Sequence, residues 1–292
     1  MGGSPGSSAA GRFERPRPRA LSSSFVSVDG AEPGAARSPR EAARQAGPEA
    51  AVAPAAPELS VVVPVFNEGR TIAAVVLGWA AELDGLGIDY ELLVYDDGST
   101  DDTRSILADL VARVPRLSVR TQPNRGHGAT VLRGYREARG EWVFQTDSDG
   151  EVAPASFGAL WRERHVHDLL LGVRRGRQVS WDRRLVSGLS RLSVRLLFGA
   201  RLADANVPFR LVRRAALQGL MADLPEDLFA PNVALAGVAA RARLRIGEVP
   251  VPHVGRLEGR GSLAGGRIWR AAATAFRQTV AVALRARRRP RA

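Results

Sequence analysis

The sequence predicts an α/β fold, a doubly wound, mostly parallel sheet flanked by helices, and three observations carry that prediction. From residue 59 onward, short β-branched runs alternate with segments of helical period, the pattern that lays crossover helices on both faces of a parallel sheet. The runs are apolar throughout instead of alternating, as strands buried on both faces are. Several end in acidic residues within short turns, at the edge where open α/β sheets bind ligands.

Residues 1–57 are rich in Gly, Ala, Ser, Pro and Arg. Such a segment cannot bury enough surface to offset its ordering entropy and is expected to be a disordered tail. A domain over 58–263 then opens with LSVVVPV at 59–65 as the first strand, and FNEGRT leads into a helix over about 71–83. YELLVY at 90–95 is the second strand. It ends in Asp96 and Asp97, before a Gly-Ser-Thr turn and a helix over about 101–113. A third strand at 117–121 passes through NRGHGAT to a helix over about 129–138, and WVFQ then delivers the turn TDSDGE. Beyond it, DLLLGVRRG at 168–176 reads as another strand, and 181–199 as an apolar-faced helix with Arg183 and Arg184 at its start. The segment 264–292 is expected to be a basic amphipathic helix and tail. Ile268, Trp269, Ala272, Phe276, Val280 and Ala283 share one side, and Arg267, Arg270, Arg277 and Arg285 the other. Core packing and an anionic membrane surface are both fitting partners for that helix.

Charge and composition narrow the function. The net charge is +12, but residues 58–262 carry 27 Arg against 25 acids, while 263–292 carry 8 Arg and no acid. A nucleic-acid groove on the folded domain is therefore not expected. All 42 cationic residues are Arg, so the choice of Arg over Lys is a composition bias and not itself a sign of phosphate recognition. The absence of Cys removes disulfides, thiolate metal sites and Cys nucleophiles. With no signal pattern and no membrane-spanning run, a cytoplasmic location is expected. No P-loop or G-x-G-x-x-G motif is present, which argues against NTPase and dinucleotide functions.

The acids carry the chemistry. Asp147 and Asp149 stand one residue apart in a turn after a buried strand, where two carboxylates can hold a hard divalent ion, Mg²⁺ or Mn²⁺, together with substrate phosphates. Asp96 and Asp97 are also ordinary turn or cap residues. Asp101 and Asp102 are placed to cap the following helix, which leaves Asp97 for another task. Glu68 is open to a solvated-loop reading, and His127 reads as a loop residue.

PVFNE, VYDDGSTDDT and NRGHGATVLRGYREARGEWVFQTDSDG together resemble the family 2 inverting glycosyltransferases of the GT-A fold, in particular the dolichyl-phosphate mannose synthase-like branch. The similarity runs over about 59–263. It implies that Pro64, Phe66, Glu68 and Asp97 hold the nucleotide of a sugar donor and that Asp147 and Asp149 bind the metal on its diphosphate. Ser148 and Glu151, in the same turn, join the donor-binding set, with Glu151 standing where Gln is common. Arg174 and Arg184 match arginines near the lipid phosphate of the acceptor. DANVPFRLVRR matches the D-x-x-x-G-F-R segment with Pro208 in place of Gly, and EVPVPHVGRLEGRGSL places Arg256, Arg260 and Ser262 near the donor phosphates. His253 is read equally as packing or site.

The expected activity is metal-dependent, inverting transfer of a sugar from a nucleotide donor to a polyprenyl phosphate, at the inner face of the cell membrane. The alternatives are a hydroxyl acceptor, for which Glu226 and Asp227 are the candidate bases, and a non-catalytic nucleotide-sugar-binding module. Glu226 and Asp227 read equally as a helix-start pair.

Overall fold

The computed structural model describes residues 55–175, 181–252 and 266–288. The expected tail, apart from its last three residues, lies outside these, as do His253, Arg256, Arg260 and Ser262.

Seven strands form one sheet: β1 Leu59–Val65, β2 Tyr90–Asp96, β3 Leu117–Thr121, β4 Trp142–Gln145, β5 Leu169–Arg175, β6 Arg210–Arg213 and β7 Ile246–Pro252. Their order is β3-β2-β1-β4-β6-β5-β7. Every pairing is parallel except those of β6, which runs antiparallel to both β4 and β5. β1, β2 and β4 are buried along their whole length, as their unbroken apolar character requires.

The helices are α1 Ile72–Gly85, α2 Thr103–Arg113, α3 His127–Glu137, α4 Phe157–Glu163, α5 Trp181–Phe198, α6 Arg214–Met221, α7 Pro231–Arg241 and α8 Gly266–Arg288. Beneath the acid-bearing turn, Phe144 of β4 meets Phe157 and Phe209 at 4.8 Å each and Trp79 of α1 at 5.1 Å between ring centres. These tilted and edge-on contacts give β4 a close-packed base.

Three expectations are corrected. The Glu226–Asp227 pair does not start a helix, since α7 begins only at Pro231. Asp102 makes no side-chain capping bond, and Asp101 serves instead, its Oδ1 accepting from the Thr103 amide at 3.0 Å. In α8 the packed face is Thr279, Val282, Ala283 and Ala286, while Trp269 and Phe276 of the expected apolar side stay exposed. The face on which α8 packs is thus turned about the helix axis from the expected apolar side and lies in its C-terminal half.

Candidate active site

The sheet order reverses between β1 and β4, and there the loop after β1 lies beside the turn after β4. A cleft of about 1470 Å³ opens over these strand ends, more than the roughly 300–1,000 Å³ of a typical small-ligand pocket. Pro64, Phe66, Glu68, Asp97, Asp147, Ser148, Asp149, Glu151 and Arg174 all line it.

The β1 loop is braced from below. Asn67, held at a φ of 54°, donates from its amide to Ser99 Oγ at 2.9 Å and accepts the Thr100 amide on Oδ1 at 2.8 Å. The Glu68 amide donates to Thr103 Oγ1, the Gly69 amide to Asp101 Oδ2, and Glu68 Oε2 accepts from Thr71 Oγ1. Asp101 therefore does more than cap α2. It ties the β1 loop to the α2 start.

Asp97 is buried and is not idle. Its Oδ1 accepts from Gln122 Nε2 at 2.7 Å and the Arg125 amide at 2.9 Å, and its Oδ2 from the Gly126 amide at 2.8 Å. A carboxylate offers about four lone-pair sites, so these bonds leave room for one further donor from the cleft. Gln122 is itself fixed, donating to Thr130 Oγ1 and accepting from Arg133.

The turn after β4 closes at Gly150, whose φ of 70° suits glycine. Asp149 accepts the Glu151 amide on Oδ1 at 3.0 Å. Asp147 Oδ1 is buried and accepts no hydrogen bond, and His127 Nε2, at the start of α3, stands 3.8 Å away. Desolvation is the main cause that pushes the Asp147 carboxyl up to about 6; His127 and Arg174 pull it down, and Asp149 and Glu151 push it up. A buried carboxylate oxygen without a partner is a costly feature that a cation would relieve. Among the described residues no three His, Asp or Glu side chains form a ready metal cage. Two carboxylates completed by substrate phosphates and water are what a Mg²⁺ or Mn²⁺ site requires.

Arg174, matched in sequence to an arginine near the acceptor phosphate, lines the cleft and is held by two carboxylates. Its guanidinium is 6% exposed and donates to Asp204 Oδ2 at 2.8 and 3.0 Å and to Glu151 Oε2 at 3.2 Å. The loop carrying Asp204 is fixed by Arg210, fully buried, which donates to the carbonyls of Ala205, Val207 and Asn232. Arg184 lies within α5, and its side chain is outside the described residues.

Part of the cleft lining has another character. Leu189, Leu192 and Leu196 of α5 and Trp269 and Phe276 of α8 line it. The 225–230 loop joins the lining. Its Leu228 carbonyl sits so close to Gly128 of α3 that a Cβ there would overlap it. Gln278 of α8 grips the same loop with both ends of its amide, accepting from the Phe229 amide at 2.8 Å and donating to the Asp227 carbonyl at 3.0 Å. Asp227 lines the cleft, while Glu226 is 67% exposed and faces Arg125 and Arg136.

Sequence reasoning passed over Gln122 and Gln278, read His127 only as a loop residue, and met Asp204 only as the first residue of a matched segment. Asp204 and Gln122 lie 30 and 25 residues from the partners they fix. The NRGHGAT segment, opening a helix after a strand, and the D-x-x-x-G-F-R match at Asp204 offered local signals.

The family model for glycosyl transferase family 2 matches residues 60–220. Among curated proteins, the chain is 28% identical over 198 residues to an undecaprenyl-phosphate 4-deoxy-4-formamido-L-arabinose transferase of Aeromonas hydrophila, covering 67% of this chain and 61% of that one. It is 30% identical over 204 residues to a protein of the same name from Pseudomonas fluorescens, covering 69% and 58%. The chain thus spans about three-fifths of the length of these relatives. Among solved structures, it is similar in fold to glucosyl-3-phosphoglycerate synthase from Mycobacterium tuberculosis, in complex with Mn²⁺, UDP-glucose and phosphoglyceric acid. The TM-score is 0.57 at 22% identity, covering 76% of this chain and 80% of that one.

Proposed function

The chain belongs to glycosyl transferase family 2, and from that premise we propose that it transfers a sugar from a nucleotide donor to a polyprenyl phosphate, with inversion and with the help of a divalent ion. The observation that carries this reading is the mixed character of one cleft. Asp147, Asp149 and the loops after β1 and β2 line it together with the apolar side chains of Leu189, Leu192, Leu196, Trp269 and Phe276. A phosphorylated hydrocarbon is the acceptor class that such a cleft fits. The relatives named above are called undecaprenyl-phosphate transferases, and the structural neighbour was solved with Mn²⁺ and UDP-glucose.

In this reading the nucleotide lies against Pro64, Phe66 and Glu68, with Asp97 accepting its remaining hydrogen bond from the base or ribose. Asp147 and Asp149, helped by Ser148 in the same turn, hold Mg²⁺ or Mn²⁺. Bound there, the ion neutralises charge that builds on the departing diphosphate. Arg256, Arg260 and Ser262 are proposed beside the donor phosphates, and Arg184 beside the acceptor phosphate. Arg174, neutralised by Asp204 and Glu151, acts by holding the floor in place. The acceptor phosphate, with a second pKa of about 6, is largely dianionic near neutrality. One of its oxygens bonds to the anomeric carbon as the bond to the nucleoside diphosphate breaks, and no general base is required. The enzyme is proposed to work as a peripheral protein at the inner face of the membrane, with the Arg-rich end of α8 against anionic lipid. No helix among the described residues is long and apolar enough to cross a membrane.

Incubation with a panel of labelled nucleotide sugars and a short, soluble polyprenyl phosphate, with Mn²⁺ or chelator, tests the proposal. Transfer is expected with one donor, lost with chelator and in Asp149→Asn. Transfer only to hydroxyl acceptors would replace this reading with one in which Asp227, the cleft-lining acid of its loop, is the base. Donor binding without any transfer would leave a binding module.

A further inference from the structure

Four buried side-chain polar atoms among the described residues have no hydrogen-bond partner, and two of them belong to one short stretch of chain. They are Gln145 Nε2, at the end of β4, and Asp147 Oδ1, in the turn that follows. One is a donor and the other an acceptor. Nearly all buried polar groups of folded proteins are paired, so two complementary open atoms beside the proposed cation site call for a chemical reason.

The Gln145 side chain is wholly buried, and its Oε1 accepts from the Tyr135 hydroxyl at 2.8 Å. Tyr135 belongs to α3, which is drawn onto the sheet at Gly134, where a Cβ would run into Val62 of β1. Across the sheet Gln145 pairs in register with Arg210 of β6, buried and donating to the carbonyls of Ala205, Val207 and Asn232. Neither neighbour serves Nε2, because a guanidinium accepts nothing and the tyrosine hydroxyl is engaged by the other end of the amide. Turning the amide over would leave a carbonyl oxygen and a carboxylate oxygen as the two open atoms, so the Tyr135 bond fixes it with the nitrogen open. Asp147 acts within the same cluster. Burial is the main cause that pushes the Tyr135 hydroxyl up, Arg210 pulls it down, and the Asp147 charge pushes it up further. The start of α3 also brings His127 to 3.8 Å from Asp147 Oδ1, and Tyr135 follows eight residues later on the same helix face.

We infer that Gln145 is a positioning residue for Asp147, its amide nitrogen held by the Tyr135 hydroxyl as the donor that closes on Oδ1 when the carboxylate takes up a divalent ion. The inference deepens the metal-assisted reading and rests on it for the role of the ion. The bond is not made in the structure; it forms by rotation about the broad terminal torsion of either side chain. A carboxylate has about four lone-pair sites, so a donor on the buried oxygen leaves the others for the cation. That donor favours the ionised form, the form that binds metal, and it stops the carboxylate from turning.

The test reads Mn²⁺ binding by the full chain, from the loss of the free-ion electron paramagnetic resonance signal, beside thermal melts. Gln145→Leu keeps the rough size of the side chain and removes its amide, and is expected to weaken Mn²⁺ binding about tenfold or more. It also strands the Tyr135 hydroxyl and lowers the melting temperature. Gln145→Leu with Tyr135→Phe removes both partners and is expected to regain most of the melting temperature, while Mn²⁺ binding stays as weak as in the single variant. Tyr135→Phe frees the amide without removing it and should fall between wild type and Gln145→Leu. Recovery of Mn²⁺ affinity together with stability in the double variant overturns the positioning role and leaves a structural pair. So does an unchanged Mn²⁺ affinity in Gln145→Leu, or in Tyr135→Phe should the leucine variants fail to fold. A wild type that binds no Mn²⁺ overturns the cation site and this inference together. Mn²⁺ binding that weakens as expected, in a protein that transfers no sugar, upholds the inference and overturns the proposed function.

Discussion

Asp147 Oδ1 and His127 Nε2 face each other at 3.8 Å, too far for a hydrogen bond, across a cleft that gives the carboxylate oxygen no other partner. The structure therefore holds a buried acid oxygen without a hydrogen bond at the place where the proposed reaction calls for a cation. The consequence is a trade of stability for binding that can be measured.

Burial raises the Asp147 carboxyl from 3.8 to about 6. A group whose folded-state pKa is raised adds stability below its unfolded pKa, near 4, and that stability is lost as the pH rises through about 6. Asp147→Asn cannot ionise, so in chelator at pH 8 it should be more stable than the wild type by about 1–2 kcal/mol, a figure reduced for partial exposure. At pH 4 the two should agree. Adding Mn²⁺ at pH 8 should raise the melting temperature of the wild type and leave the variant unchanged. An offset that does not vary with pH would show that packing, not ionisation, separates them.

Arg174 gives a second test, because an open phosphate clamp and a buried ion triad predict different losses. Arg174→Ala removes the cation that Asp204 and Glu151 share and should cost about 3–5 kcal/mol in a urea melt. A change confined to the acceptor KM, with no loss of stability, would restore the clamp.

Asp97 and Asp101 should separate by what they hold. Asp97→Ala frees the Gln122 amide and two backbone amides, and should abolish binding of nucleoside diphosphates in calorimetry while costing about 2–3 kcal/mol of stability. Asp101→Ala should cost about 1–2 kcal/mol and weaken binding several-fold, because Asp101 also steadies Gly69 beside Glu68. Equal binding losses in the two would mean that both act only through loop geometry.

Gln278→Ala releases the Phe229 amide and the Asp227 carbonyl. The expected result is a several-fold higher acceptor KM with unchanged donor affinity and a stability loss of about 1 kcal/mol. Gln278→Glu keeps the acceptor to Phe229 but cannot donate to Asp227, and should fall between. Steady-state kinetics with the soluble acceptor decide it.

Much of the donor side was legible in sequence because β1, β2 and β4 are buried on both faces and so read as unbroken apolar runs, with acids where they end. β6 was not, since RLVR is only four residues long and opens with an arginine. Nothing local announces that Arg210 is buried among carbonyls. Arg174 likewise showed its charge but not its neighbours, and a charge beside a loop reads as solvent-facing until Asp204 is brought to it across the sheet. His127 joined the candidate site only when the fold brought the start of α3 to the turn after β4.

The lining of the cleft also divides along the chain. Among the described residues, the groups proposed for the donor run from Pro64 to Glu151, while the apolar wall is drawn from Leu189 to Phe276, on both sides of β6. Under the proposed function, the two specificities would be encoded by largely separate stretches that divide between Glu151 and Leu189. Recombination after Glu151 with a relative of different acceptor preference is expected to exchange the acceptor while keeping the donor, and it would make this fold a scaffold for pairing sugars with lipids at will.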